Sequence, residues 1–173
     1  MIDPFDTLGI APTFDVDLAA VEKRYRDLSR VLHPDRHVAS SPAQRRMSLG
    51  KAVEVNEAWR LLRDPIRRAE ALLKRHGVEI KEGSEPKADP EFLMEMMEHR
   101  EALSEARAKR DKEAVLRLAQ RIRTREKAAL ERLSSAFAPG SSESEAIESI
   151  VPVLGELRYY RRFLDEVSAI EDG

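Results

Sequence analysis

Apolar residues recur along most of the chain at intervals of three and four, the spacing that places them on one face of an α-helix. The N-terminal part contains four such stretches, which predict helices at about residues 4–8, 16–32, 42–63 and 65–76. Three longer stretches follow and predict helices at about residues 90–108, 112–138 and 143–170. The pattern therefore predicts an all-α protein in which each helix turns an apolar stripe toward a core. Residues expected to face inward include Leu18, Leu49, Leu157 and Leu164.

Several predicted helices begin with the same signal, an N-capping residue followed by proline. The side chain of the first residue accepts a hydrogen bond from a backbone N–H that has no partner within the helix, and proline lacks that donor. The signal occurs at Asp3-Pro4, Ser41-Pro42, Asp64-Pro65 and Asp89-Pro90. Pro152 lies inside the last predicted helix, where proline predicts a kink or a later start.

Residues 77–88 interrupt the apolar periodicity with glycine, proline and charged side chains, a composition typical of a linker. The sequence therefore predicts two domains. The first, residues 1–76, contains the four shorter helices. The second, residues 89–173, contains three amphipathic helices with short connections, a pattern that predicts an antiparallel bundle.

Composition excludes several classes of function. The formal net charge of −2 argues against binding of nucleic acid. The absence of cysteine excludes disulfides, thiolate metal sites and cysteine nucleophiles. No apolar run reaches the roughly 20 residues of a membrane span. The N-terminus carries no recognisable targeting signal, so the sequence predicts a cytoplasmic protein without a membrane partner.

The tripeptide His33-Pro34-Asp35 follows a helix whose outer face is basic. Pro34 stiffens the turn, and Asp35 places a carboxylate beside a cationic surface suited to an acidic partner. The cations of that surface are Lys23, Arg26 and Arg30. Cations opposite an apolar stripe are also typical of a merely solvated helix face. A catalytic dyad or a metal site at His33 is disfavoured, because no nucleophile or further ligand cluster accompanies it.

The region around this tripeptide resembles the J-domain family. Residues 25–36 resemble the end of its second helix and its signature loop, residues 5–10 its opening, and residues 55–62 its third helix. The resemblance implies a four-helix J-domain that docks on a DnaK-type chaperone and stimulates ATP hydrolysis there. His33, Pro34 and Asp35 would then be the trigger, and Lys23, Arg26 and Arg30 the docking charges. Asp27 departs from this pattern, because it places an acid within the basic face.

Three other segments resemble the HscB subfamily of J-domain proteins: residues 63–73, 92–103 and 160–165. The resemblance implies a co-chaperone without catalysis of its own. It would deliver the iron–sulfur scaffold protein IscU to a DnaK/HscA-type chaperone. Some members of that subfamily carry an N-terminal cysteine motif. This chain lacks cysteine, so we expect it to hold neither metal nor cluster.

The first helix of the second domain carries the residues expected to bind the scaffold. At about 100° per residue, Phe92, Met96, His99 and Leu103 share one narrow arc and form the core stripe. The residues off that stripe are Leu93, Met94, Met97, Glu98, Glu101 and Glu105, which mix apolar and acidic character. Phe163 points about 120° away from the stripe through Leu157 and Leu164, so we expect it to be exposed too. The alternative is a wide core stripe that takes in the apolar members of this set.

Two other functions compete with the scaffold adaptor. The chain could be a general J-domain co-chaperone that holds unfolded clients, although it lacks the Gly/Phe-rich and cysteine-rich regions of that group. It could also bind nucleic acid through the arginine-rich stretch 117–125, against which the near-neutral charge and the lack of stacking aromatics argue. Weak self-association is left open.

Overall fold

The computed structural model describes residues 2–33, 35, 41–78, 80, 89–138 and 143–171, the last range without the side chains of residues 143–148. Within these ranges the chain forms α-helices and no strand, so the all-α prediction is confirmed. The helices are α1 (Pro4–Leu8), α2 (Leu18–Leu32), α3 (Pro42–Arg63), α4 (Pro65–Arg75), α5 (Pro90–Ala108), α6 (Lys112–Ala136) and α7 (Glu143–Glu171).

The predicted capping signals account for four of the helix starts. Asp3, Asp64 and Asp89 each accept hydrogen bonds from backbone N–H groups of the first helical turn. Ser41 forms a capping box with Gln44, in which each side chain satisfies the other residue's backbone N–H. These local interactions explain why α1, α3, α4 and α5 begin where the sequence predicts.

One predicted helix start is wrong, and one of two alternatives for Pro152 is excluded. α2 begins at Leu18 rather than at residue 16, because Asp17 caps it and accepts hydrogen bonds from the N–H groups of Ala19 and Ala20 at 3.0 and 3.1 Å. α7 begins at Glu143 as predicted and contains Pro152 in its interior, so of the two alternatives for this proline the later start is wrong.

The chain divides into two compact units, Met1–Glu79 and Ile80–Gly173. Of the predicted linker 77–88, the structure describes only residues 77, 78 and 80. The core of the first unit is built from all four of its helices. Its fully buried side chains include Phe5, Leu8, Ala58, Leu62 and Ala69. This core anchors α2 and α3, between which the candidate loop lies in sequence.

In the second unit α5, α6 and α7 surround one core. Its buried side chains include Met96, Leu103, Ile122, Leu133, Leu154 and Val167. Among the described residues of this unit, three ion pairs join the helices at the surface. Glu95 of α5 pairs with Arg125 of α6, Arg132 of α6 pairs with Glu156 of α7, and Arg100 of α5 pairs with Glu166 of α7. The core and these pairs hold α5 rigidly, and its outward face becomes a fixed surface.

Burial in α3 differs from the prediction. Leu49 was expected to face inward, yet 58% of its surface is exposed. Residues 42–54 include no buried side chain, and burial in α3 begins at Val55. α3 has 22 residues whereas α1 has 5 and α2 has 15, so the neighbouring helices cannot cover it over its whole length. Leu18, at the first position of α2, is also exposed.

Candidate functional site

The outer face of α2 carries the predicted cations, and all three are exposed. Two of them pair with acids of the same helix. Arg26 lies 2.5 Å from Glu22, and Arg30 lies 3.8 Å from Asp27. Lys23 pairs with no carboxylate among the described residues. The face therefore presents three cations against two acids, and its positive charge is weaker than the sequence prediction of a basic stripe implied.

Glu22 is the residue that the sequence reasoning missed on this face. Its position four residues before Arg26 is the spacing at which oppositely charged side chains pair on a helix, so the signal was present. Asp27, three residues before Arg30, was recognised as a departure from the pattern. Together the two acids alternate with the cations along the helix surface.

The loop after α2 begins in an extended conformation at His33, with φ −60° and ψ 133°. The backbone N–H of Asp35 donates to Nδ1 of His33 at 3.3 Å, and the carboxylate of Asp35 lies 3.5 Å from the same atom. When Nδ1 accepts this hydrogen bond, the neutral imidazole carries its proton on Nε2, where it can donate outward. Both side chains are exposed, while Pro34 lies outside the described residues.

Contacts on the opposite side of α2 fix the basic face to the domain. The hydroxyl of Tyr25 donates to Oδ1 of Asn56 at 3.0 Å, and its ring stacks on Trp59 of α3 with centroids 5.4 Å apart. Arg24 donates from Nε to the carbonyl of Leu8 at 3.1 Å, which ties α2 to α1. The cations of α2 therefore stand on a backbone that is held from two directions.

The outward surface of α5 carries most of the residues predicted to bind the scaffold. Met94 and Met97 each expose 63% of their surface. Glu98, Glu101 and Glu105 are exposed as well, and Leu93 is half-buried. We call Met94, Met97, Glu98, Glu101 and Glu105 the α5 acidic face. Their predicted exposure is confirmed, and the alternative of a wide core stripe does not hold for the two methionines.

One carboxylate of the α5 acidic face is partly neutralised by its own helix. Glu105 accepts a hydrogen bond from Lys109 at 2.5 Å. This hydrogen bond and the charge of Lys109 lower the pKa of Glu105 and raise the pKa of Lys109. Glu98 and Glu101 form no ion pair with the described residues, so they are the more available charges.

Phe163 is not part of this surface, and its predicted exposure is wrong. Only 2% of Phe163 is exposed, whereas Leu164 is half-buried. α7 packs against both α5 and α6, so two of its faces are buried and one apolar stripe does not describe it. The ring of Phe163 meets the ring of His99 from α5 edge-on, with centroids 6.5 Å apart.

Among the described residues, no helix combines the length and the apolar character needed to cross a bilayer. Within the same part of the chain, His, Asp and Glu side chains form no group of three or more that could hold a metal ion.

Comparisons with known proteins agree with this architecture. The DnaJ domain family model matches residues 3–71, which include α1, α2, α3, the tripeptide His33-Pro34-Asp35 and most of α4. The chain is thus a J-domain co-chaperone by fold and by domain content. The family model described as the HSCB C-terminal oligomerisation domain matches residues 88–168. With both matches, the chain belongs to the HscB family.

Individual relatives agree over nearly the whole length. The co-chaperone protein HscB homolog of Shewanella oneidensis is 33% identical over 168 residues, which cover 97% of this chain and 96% of that protein. The homolog of Burkholderia multivorans is 35% identical over 165 residues, 95% of this chain and 91% of that protein. Among solved structures, chaperone HscB from Vibrio cholerae superposes with a TM-score of 0.86 at 29% identity and covers 99% of this chain and 98% of its own.

Proposed function

We propose that this chain stimulates the ATPase of a DnaK/HscA-type chaperone and brings an IscU-type iron–sulfur scaffold protein to it. The observation that carries the proposal is the presence of two exposed surfaces of different chemistry in two separate compact units. The first unit offers the cations of α2 beside His33 and Asp35. The second offers the α5 acidic face.

The chaperone surface acts through charge and through the exposed side chains of His33 and Asp35. Lys23, Arg26 and Arg30 attract an acidic partner over a distance, which raises the association rate more than it lengthens the lifetime of the complex. His33 and Asp35 then lie at the end of α2, where their exposed polar groups reach the docked partner. ATP is hydrolysed on the chaperone, so in this proposal the chain is an activator and not an enzyme.

The scaffold surface acts through apolar anchors bordered by acids. Met94 and Met97 have flexible, polarizable side chains that adapt to a partner, and a few such anchors usually supply most of the binding free energy. Leu93, half-buried beside them, extends the apolar area. Glu98, Glu101 and Glu105 set orientation by charge. Phe163 is proposed to support this surface from within the core rather than to contact the scaffold, because it is buried.

Steady-state ATPase measurements on a DnaK/HscA-type chaperone test the proposal. We expect this chain alone to accelerate hydrolysis, and this chain with an IscU-type scaffold to accelerate it more than the two separate effects combined. A general co-chaperone for unfolded clients would instead show the same synergy with a reduced, unfolded protein. If neither addition changes the rate, the chain does not act on that chaperone.

We also propose weak self-association of the second unit. The family model that matches residues 88–168 is described as an oligomerisation domain, and Met94 and Met97 leave apolar surface exposed. Sedimentation equilibrium over a range of protein concentrations tests this second proposal. A weight-average mass that stays at the monomer value at all concentrations would reject it.

A further inference from the structure

A cleft of about 740 Å³ lies at one end of the three-helix unit, between the α5–α6 turn and the last turn of α7. Its volume is within the roughly 300–1,000 Å³ range typical of binding pockets. The apolar side chains that line it are Ala106, Val115, Leu116, Ala169 and Ile170. Leu116 is 52% exposed, so apolar surface continues from the cleft to the outside of α6.

Three cations also line the cleft: Arg107, Arg110 and Lys112. None of them forms an ion pair or a hydrogen bond through its side chain with the described residues. Two acids also line it: Asp111, whose carboxylate caps α6 by accepting from the N–H of Ala114 at 2.9 Å, and Glu171. The described lining therefore joins apolar side chains to three cations against two acids, an excess of positive charge. We call it the basic cleft.

The backbone at Arg110 is a second, independent indication. Arg110 has φ 54°, a left-handed conformation that glycine adopts far more easily than a residue with a side chain. It ends α5 in a reversal in which the N–H of Asp111 donates to the carbonyl of Ala106 at 2.9 Å. An arginine in this position costs stability relative to glycine. The exposed side chain of Arg110 lines the cleft, so this left-handed residue places a positive charge there.

We propose that the basic cleft accepts the α5 acidic face of a second copy of this chain. The two surfaces are complementary in charge, and each also exposes apolar area. One joins exposed methionines to Glu98 and Glu101, and the other joins exposed Leu116 to Arg107 and Arg110. Both lie within Ile80–Gly173, the unit that the family description associates with oligomerisation. The inference rests on the proposed self-association and names the surfaces that form it.

This contact joins two different surfaces, so it is heterologous, and a copy bound through one surface still offers the other. Such contacts generate rings or open chains rather than a closed two-fold dimer. Because the α5 acidic face is also the proposed scaffold surface, each self-contact removes one scaffold site. Self-association and scaffold binding should therefore compete.

The contact is tested by reversing the charges of each surface in turn, mixing the two variants, and measuring the associated mass by sedimentation equilibrium. Two variants of the full chain are compared, Glu98→Lys/Glu101→Lys and Arg107→Glu/Arg110→Glu. Each alone should have a dissociation constant for self-association raised at least about tenfold, because like charges face each other. An equimolar mixture should recover the wild-type mass, because each variant complements the other at both surfaces. The wild-type mass should exceed that of a dimer at high concentration and fall as salt rises.

A matched control reverses two cations elsewhere on the same unit. Arg123→Glu/Lys127→Glu changes the net charge by as much as the cleft variant, and neither residue lines the cleft. It should associate like the wild type. Arg110→Gly is a second test that cannot fail through misfolding, because glycine suits the left-handed backbone. It should raise the melting temperature and weaken association.

The possible results distinguish the contact between the basic cleft and the α5 acidic face from self-association in general and from scaffold binding. If the wild type associates but either reversal variant associates equally well, or if the mixture does not recover, then the contact lies elsewhere. If the wild type is monomeric throughout, self-association itself is rejected. Scaffold affinity is measured separately at a protein concentration where the chain is monomeric, and there the cleft variant should match the wild type. Loss of scaffold binding by the cleft variant under those conditions would overturn the assignment of the cleft to self-contact.

Discussion

Arg68 is buried although it is charged, and its surroundings explain how the fold tolerates it. Its Nη1 donates to the carbonyl of Leu62 at 2.6 Å, and its guanidinium lies 5.0 Å from the centre of the Phe14 ring. Burial lowers the pKa of Arg68, while the charges of Asp15 and Asp64 act in the opposite direction. The Leu62 carbonyl lies in the last turn of α3, where carbonyl groups lack partners within the helix.

Replacing Arg68 with methionine should therefore destabilise the first unit. The substitution keeps apolar volume but leaves the Leu62 carbonyl without its partner, at a cost of about 1–3 kcal/mol. Urea unfolding measures the loss. Arg67→Met is the matched control, because Arg67 is exposed and its ion pair among the described residues is with Glu70 of the same helix, so it should change stability by less than about 0.5 kcal/mol. Equal effects of the two substitutions would show that the buried hydrogen bond contributes nothing.

Glu105 offers a test of surface electrostatics on α5. Lys109 lowers the pKa of Glu105 by a hydrogen bond and by its charge, so Lys109→Ala should raise this pKa toward its ordinary value. Because the pKa of Glu105 is lowered in the folded state, the Glu105–Lys109 pair stabilises the folded state above the ordinary pKa of Glu. This contribution is lost as the pH falls through the lowered pKa. A pH titration of the side-chain carboxyl by NMR measures the shift. Lys112→Ala, which removes a lysine at the start of α6, should leave the pKa of Glu105 unchanged.

At the scale of a helix, the outer face of α2 carries mixed charge, and its acids partly neutralise its cations. Asp27 lies 3.8 Å from Arg30, and Glu22 lies 2.5 Å from Arg26. Asp27→Asn should accelerate association with the chaperone, whereas Arg26→Glu/Arg30→Glu should slow it. Both effects should shrink with salt. Stopped-flow or surface-binding kinetics at two ionic strengths distinguish these rate effects from changes in dissociation. An Asp27→Asn variant that associates no faster at low salt would indicate that this acid does not oppose docking.

The apolar residues considered on α5 are exposed and are proposed to bind a partner, whereas Phe163 of α7 is buried and stabilises the core. Met94→Ala/Met97→Ala removes exposed side chains, so it should cost under about 1 kcal/mol of stability per residue and weaken scaffold binding strongly. Phe163→Ala opens a cavity in the core and should cost about 3–5 kcal/mol. Thermal unfolding and scaffold titration on both variants separate the two roles. Near-wild-type scaffold affinity in the methionine variant would place the docking surface elsewhere.

The sequence predicts the helices well because the signals that start them are local. Asp3, Ser41, Asp64 and Asp89 cap helices through hydrogen bonds within a few residues, and no knowledge of the tertiary structure is needed. The exposed residues of α5 are predictable for a similar reason, since its core lies on one side.

The sequence does not predict the burial of a side chain correctly where that burial depends on neighbouring helices. Leu49 lies on a part of α3 that the other described helices of the first unit leave exposed, and periodicity alone cannot reveal the lengths of those helices. Phe163 lies on a helix buried on two faces, so measuring its angle from one stripe gives the wrong answer. Two ion pairs weaken the basic face of α2. The sequence prediction includes Asp27 as a departure from the basic pattern, but it does not include the pairing of Glu22 with Arg26.

At the scale of the whole molecule, the two proposed activities reside in separate compact units. His33→Gln and Asp35→Asn alter exposed side chains of the first unit, so both variants should remain folded. Each should abolish stimulation of the chaperone ATPase, while scaffold affinity stays at the wild-type value because α5 is unaltered. ATPase assays and scaffold titrations on the same preparations test the separation. Persistent stimulation in both variants would contradict the assignment of the loop as the trigger.

The stacking of Trp59 on Tyr25 has an optical consequence. The chain contains one tryptophan, and it lies in α3, half-buried against the helix that carries the docking cations. Indole emission therefore originates entirely from the first unit, and the second unit contributes no tryptophan signal. In a titration, a chaperone without tryptophan should change the intrinsic fluorescence when its docking on the outer face of α2 shifts this helix and so alters the stacking of Tyr25 on Trp59. A tryptophan-free scaffold bound at α5 should leave the emission unchanged, so one unlabelled protein distinguishes its two partners by spectrum alone.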